Sequence, residues 1–144
     1  MIVRPVRPED REQWQPLWEG YNRFYERVLP GEITEVTWGR FFDPDEPVFA
    51  VVAEREGKLV GLVHYLHHRN TTMIEDICYL QDLFTAPDAR GMGVGRALIE
   101  HVYREAATAG LSRVYWQTHE ANPARKLYDR VAELTPFRRY VKDL

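Results

Sequence analysis

Apolar residues return along this chain in two rhythms, one of helical period and one alternating. Residues 2–6 read as a short first strand, and Pro8-Glu9-Asp10 as a helix start with acids in its first turn. Trp14, Leu17, Trp18, Tyr21, Tyr25 and Val28 then recur at helical spacing. Pro16 kinks this helix or marks its beginning, and Gly31 ends it. Residues 34–42 predict a second short helix, and 43–47 a loop. Residues 48–53 and 59–66 form the arms of a hairpin around the turn Arg55-Glu56-Gly57-Lys58. Residues 77–85 predict a further strand. Val94, Leu98, Val102 and Ala106 define a helix, with Arg96, Glu100 and Arg104 at four-residue spacing and Gly110 closing it. Residues 113–118 read as a strand. Asn122-Pro123 opens a last helix with Ala124, Leu127, Tyr128 and Val131 on one face, and residues 137–141 read as a closing strand. The order β-α-α-β-β-β-α-β-α-β predicts an α/β (α+β) fold, a mixed sheet with helices on its faces.

Composition narrows the class. The 144 residues, 44% of them hydrophobic, suit one globular domain spanning 1–144 and exclude a disordered chain. No apolar run approaches membrane-spanning length, the first residues turn charged too early for a signal peptide, and a cytoplasmic protein is expected. The lone Cys78 excludes an internal disulfide and reads as a small buried residue. A net charge of −3 argues against a nucleic-acid binder. The average hides an asymmetry: residues 1–89 hold 16 acids and 9 bases, residues 90–144 hold 6 acids and 10 bases. His64, His67 and His68 lack an evident carboxylate or thiol partner; they read as surface or cleft histidines, and no metal is expected.

The candidate chemistry lies in Arg90-Gly91-Met92-Gly93-Val94-Gly95-Arg96, between a strand and an amphipathic helix. Backbone N–H groups at a helix start, unobstructed by side chains and flanked by arginines, make an anion site. A dinucleotide fingerprint counted from Gly91 requires glycine where Arg96 stands, and a Walker loop requires a Gly-Lys-Ser/Thr that is missing.

What remains is Arg-x-x-Gly-x-Gly (Arg90, Gly93, Gly95). The segment CYLQDLFTAPDARGMGVGRALIEHV (78–102) resembles the pyrophosphate loop of the GCN5-related N-acetyltransferases, and the resemblance extends to Trp116-Gln117-Thr118-His119-Glu120-Ala121-Asn122 and Lys126-Leu127-Tyr128. YLQDLF and YWQTHEAN look most like the histone and polyamine branch. The resemblance implies a mostly antiparallel sheet, acetyl-CoA as co-substrate and direct acetyl transfer to a primary amine, either a small amine or polyamine or a lysine-like group in a basic peptide. A non-catalytic acyl-CoA-binding sensor is the alternative. No nucleic-acid or membrane partner is expected; a homodimer is.

Roles follow from the same resemblance. Leu83, Phe84 and Thr85 would pair with the pantetheine arm, a backbone N–H near Leu83 would polarise the thioester carbonyl, and residues 90–96 would hold the pyrophosphate. Tyr128 would protonate the departing sulfur, and Asn122 would cap its helix and reach the cofactor. Polyamine-type relatives often place glutamate where this chain has Gln81, which cannot serve as a base. Asp82 is therefore the candidate substrate-side carboxylate and base, with Glu75 and Asp76 as possible final proton acceptors through water. Tyr25 belongs first to the helix stripe and second to the acceptor cleft. The acidic half would then face the amine and the basic half the coenzyme phosphates.

Overall fold

The computed structural model describes all 144 residues. Its sheet keeps chain order, β1 (Ile2–Pro5), β2 (Val48–Arg55), β3 (Lys58–His68), β4 (Ile77–Thr85) and β5 (Val114–Tyr115). The first four strands are antiparallel; β5 joins β4 in parallel through Cys78↔Val114 and Tyr79↔Tyr115. Helices α1 (Arg11–Phe24) and α2 (Gly31–Arg40) cover one face; α3 (Val94–Thr108) and α4 (Arg125–Val131) pack on the other.

Strand alternation divides the core. Val52 and Leu62 meet Trp14, Leu17, Trp18 and Tyr21 of α1, while Val51 and Val63 meet Val94, Leu98, Ile99 and Val102 of α3. Burying each such side chain stabilises the fold by roughly 1.5–3 kcal/mol. Arg4 of β1 fixes the entry to α1 by a bidentate pair with Asp10, at 2.8 and 3.0 Å, and the backbone N–H of Arg7 donates to the same carboxylate at 2.7 Å.

Three sequence expectations are corrected. Helix α1 runs through Pro16 and stops at Phe24, not at Gly31. Its end is a reversal in which Glu26 takes a left-handed φ of 56° and the Arg27 N–H donates back to the Asn22 carbonyl at 2.9 Å. That conformation costs a non-glycine residue about 1–2 kcal/mol. Gly31 instead opens α2, after Pro30. The strand expected over 113–118 shrinks to Val114–Tyr115. The closing strand over 137–141 does not form, so the element order ends at α4. Its alternating residues find no sheet edge, and Phe137 and Tyr140 are 89% and 97% exposed.

Two features of β4 place the site. The register steps from His64↔Asp82 to Tyr65↔Leu80, so Gln81 bulges out unpaired. The bulge lets Leu80 face α3 while Asp82 faces α1. On its other edge β4 meets β5 only at Cys78 and Tyr79, and from Leu80 onward that edge is open.

Candidate active site

The loop after β4 is built as an anion cradle. Gly91 and Gly93 take φ of 80° and 79°, the left-handed region that favours glycine, and a Cβ at either would meet nothing within 4 Å. The first intrahelical bond of α3 runs from the Ala97 N–H to the Gly93 carbonyl at 3.0 Å. No backbone N–H across residues 91–96, including those of Met92, Val94 and Gly95, donates to another group of the protein. These donors converge on the positive end of a 15-residue helix. Gly95 has a different task, since a Cβ there would stand 3.3 Å from Leu127 Cδ2 and 3.9 Å from Thr85 Oγ1. Its missing side chain lets α3, α4 and the end of β4 close together.

The arginines behave unequally. Arg96 pairs along its own helix with Glu100 at 2.8 Å. Arg90 turns back over the Phe84 ring, 5.8 Å from its centroid, and donates weakly to the Thr85 carbonyl at 3.4 Å. There it borders a cavity of about 540 Å³ between α1 and the end of β4, lined also by Gly20, Phe24 and Lys58. Arg55, from the β2–β3 hairpin, reaches the Met92 sulfur and adds a positive charge beside the loop. A hairpin tip folding onto a loop 37 residues away leaves no local signal in the sequence.

On the α1 face Asp82 sits at the end of a buried chain. Its Oδ2 lies 2.9 Å from His64 Nδ1, and His64 Nε2 lies 3.0 Å from Trp14 Nε1. An indole nitrogen only donates, so His64 Nε2 accepts, Nδ1 carries the proton, and the Asp82 carboxylate is the final acceptor. His64 is 3% exposed, so the expectation of a surface or cleft histidine without a carboxylate partner is corrected. The strand register makes the pair, and the bulge that sets it was not readable. His67 and His68 are not part of this chain; His68 bonds Tyr115 at 2.7 Å. No cluster of three or more metal-ligating side chains is present.

Tyrosines complete the cluster. The Tyr21 hydroxyl donates to the Gln81 carbonyl at the bulge, at 3.4 Å, and burial, then the Asp82 charge, push its phenol well above the usual range. Tyr25 packs tilted against Tyr21, ring centroids 5.1 Å apart, and, after burial itself, is the other influence raising Tyr128. Tyr128 rests edge-on against Trp116 at 5.5 Å, and its hydroxyl makes no hydrogen bond. Burial pushes its phenol up to about 12, so it keeps its proton across neutral pH and can act as a donor.

The remaining expected residues are placed as follows. Leu83 packs on the α3 core, Phe84 on Gly20, and Thr85 beside Gly95, all along the open edge of β4. Asn122 accepts from the Ala124 N–H and donates to Thr118 Oγ1, both at 2.9 Å, which fixes the turn into α4. Glu75 lies apart from this group. It accepts from Ser112 at 2.6 Å at the opposite end of β4, roughly 20 Å from Asp82 by strand rise. Asp76, its neighbour, faces Arg69 at 3.3 Å. Cys78 is fully buried, and its thiol is pushed up to about 12 by burial.

The free N–H array beside an open strand edge fits a pyrophosphate with an extended amide-bearing arm, the shape of coenzyme A. Comparisons with known proteins agree. The acetyltransferase (GNAT) family profile matches residues 10–132. A D-amino-acid N-acetyltransferase of Saccharomyces cerevisiae is 38% identical over 138 residues, 94% of this chain and 86% of that one. An uncharacterized N-acetyltransferase of Bacillus subtilis is 27% identical over 131 residues, 90% of this chain and 87% of the relative. The fold superposes on a ribosomal-protein-alanine N-acetyltransferase from Brucella melitensis with a TM-score of 0.80 at 20% identity, covering 100% of both chains. Loop, open strand and matched sequence together place the chain in the acetyltransferase (GNAT) family, as an acetyl-CoA-dependent N-acetyltransferase.

Proposed function

We propose that the protein acetylates the primary amine of a small acceptor, a free amino acid in preference to a polyamine or a lysine side chain. The observation that carries the reading is the buried Trp14–His64–Asp82 chain, with the Tyr21 hydroxyl beside it on the Gln81 carbonyl, at the bulge where β4 loses its neighbour. The 38% identical D-amino-acid N-acetyltransferase supports an amino acid as acceptor.

In this reading acetyl-CoA supplies an activated acyl group. The N–H groups of residues 91–96 hold its pyrophosphate, and the open edge at Leu83, Phe84 and Thr85 aligns the arm, so that transfer becomes a local event. A backbone N–H at the bulge donates to the acyl oxygen as charge develops on it. Asp82 accepts the proton released as the amine nitrogen forms its bond to the acyl carbon. His64, itself held by Trp14, donates to that carboxylate and fixes its orientation. The Tyr128 hydroxyl, free of other partners, gives its proton to sulfur as the carbon–sulfur bond breaks.

The test is thiol release from acetyl-CoA, with amino acids, polyamines and lysine-bearing peptides as competing acceptors. Preferential product formation on amino acids supports the reading; preference for polyamines or peptides overturns it.

A further inference from the structure

We infer that Arg27 is the acceptor's carboxylate site, a specificity-determining residue placed across the tyrosine pair from Asp82. The inference rests on the amino-acid reading above. Like several other arginines of the chain, Arg27 reaches no carboxylate of the protein, but it is the one laid over the tyrosine pair. Its guanidinium instead lies over Tyr21 and Tyr25, 5.5 and 5.2 Å from the ring centroids. Tyr21 is the phenol whose hydroxyl donates to the Gln81 carbonyl next to Asp82, and Tyr25 packs against it at 5.1 Å. Arg27 is thus held over the tyrosine pair with no carboxylate of the protein as its partner.

The backbone enforces this position. Glu26 takes a left-handed conformation that few side chains adopt, and the Arg27 N–H closes the turn onto Asn22. A straight continuation of α1 would carry residue 27 away from Tyr21. Strain of this kind persists where the surrounding structure over-determines it, often at ligand clamps.

The chemistry matches one ligand class. A guanidinium presents a planar fork of donors that fits a carboxylate bidentately. Asp82 offers a negative charge toward the amine, and Arg27 a positive charge toward the group one carbon away. An amino acid complements both. A polyamine would bring a second cation against Arg27.

The experiment compares amino acids with their own carboxamides, which keep shape and lose the negative charge, on the wild-type enzyme, Arg27→Gln and Arg27→Lys. In Arg27→Gln, kcat/KM for amino acids falls roughly 10- to 100-fold, chiefly through KM, as expected for losing a charged hydrogen-bonded pair. Carboxamide turnover stays within about twofold of wild type, and Arg27→Lys recovers part of the loss. Unchanged thermal unfolding and acetyl-CoA binding show that the variants remain folded. An equal fall on both substrate classes, or no fall on either, overturns the role of Arg27 while leaving the amino-acid reading intact. Turnover of other amines with none of amino acids overturns the acceptor reading and this inference with it.

Discussion

Trp14 and His64 share a hydrogen bond of 3.0 Å inside a fully buried contact, and that bond decides the tautomer of the imidazole. Because the indole donates, the imidazole proton must sit on Nδ1 and point at Asp82. As the proposed base, Asp82 would lose function in two separable ways. Asp82→Asn removes the acceptor and lowers kcat by about 10²–10⁴-fold. His64→Ala keeps the carboxylate but frees it, lowers kcat less, and costs roughly 1–3 kcal/mol of stability through the orphaned indole N–H and carboxylate. Acetyl-CoA binding by calorimetry stays near wild type in both.

Tyr128→Phe gives the opposite balance. The hydroxyl has no partner in the resting protein, so its removal leaves thermal unfolding within about 0.5 kcal/mol of wild type. Turnover drops by about 10²-fold or more while acetyl-CoA affinity holds. A variant with undiminished turnover would exclude Tyr128 from protonating sulfur.

The glycines of the loop separate by task. Gly93→Ala must hold a φ of 79°, at a cost of about 1–2 kcal/mol, and the N–H cradle distorts. Acetyl-CoA affinity falls at least about tenfold, read by calorimetry. Gly95→Ala keeps an allowed backbone but presses on Leu127, on the helix that carries Tyr128. Its loss appears mainly in kcat.

Acid should loosen the fold at two levels. His67 and His101 are held below the usual histidine value, chiefly by burial. The unfolded chain therefore takes up these protons first, and stability is full above about pH 6.5 and declines as pH falls below it. Asp10 is held below the usual carboxylate value, first by its hydrogen bond to Arg4. Its contribution is present above the unfolded value near 3.8 and is lost as pH falls through the lower folded value. Asp10→Asn costs about 2–4 kcal/mol at neutral pH, because Arg4 loses its bidentate partner. Unfolding followed from pH 8 to about pH 2 checks both, and the variant loses only the lower step.

Much of this was legible because it was local. The strand over Ile77–Thr85 and the loop from Arg90 to Arg96 depend on side-chain period and on glycine, both written in consecutive residues. The His64–Asp82 pair was hidden because it depends on register. One bulged residue, Gln81, decides which face Asp82 occupies, and no pattern within β4 announces it. The helix end at Phe24 was hidden for another reason. The stripe runs on to Tyr25 and Val28, and a non-glycine residue, Glu26, makes the reversal. The pattern at 137–141 has strand character, but a strand also needs a neighbour, and that lies outside what local sequence encodes.

The open edge of β4 has a consequence for the protein between catalytic cycles. An unpaired strand edge invites pairing with other chains. In the proposed binding mode, the acyl carrier along Leu83, Phe84 and Thr85 would do for the sheet what a further strand does. Co-substrate bound in that way would also shield the exposed strand edge from other chains.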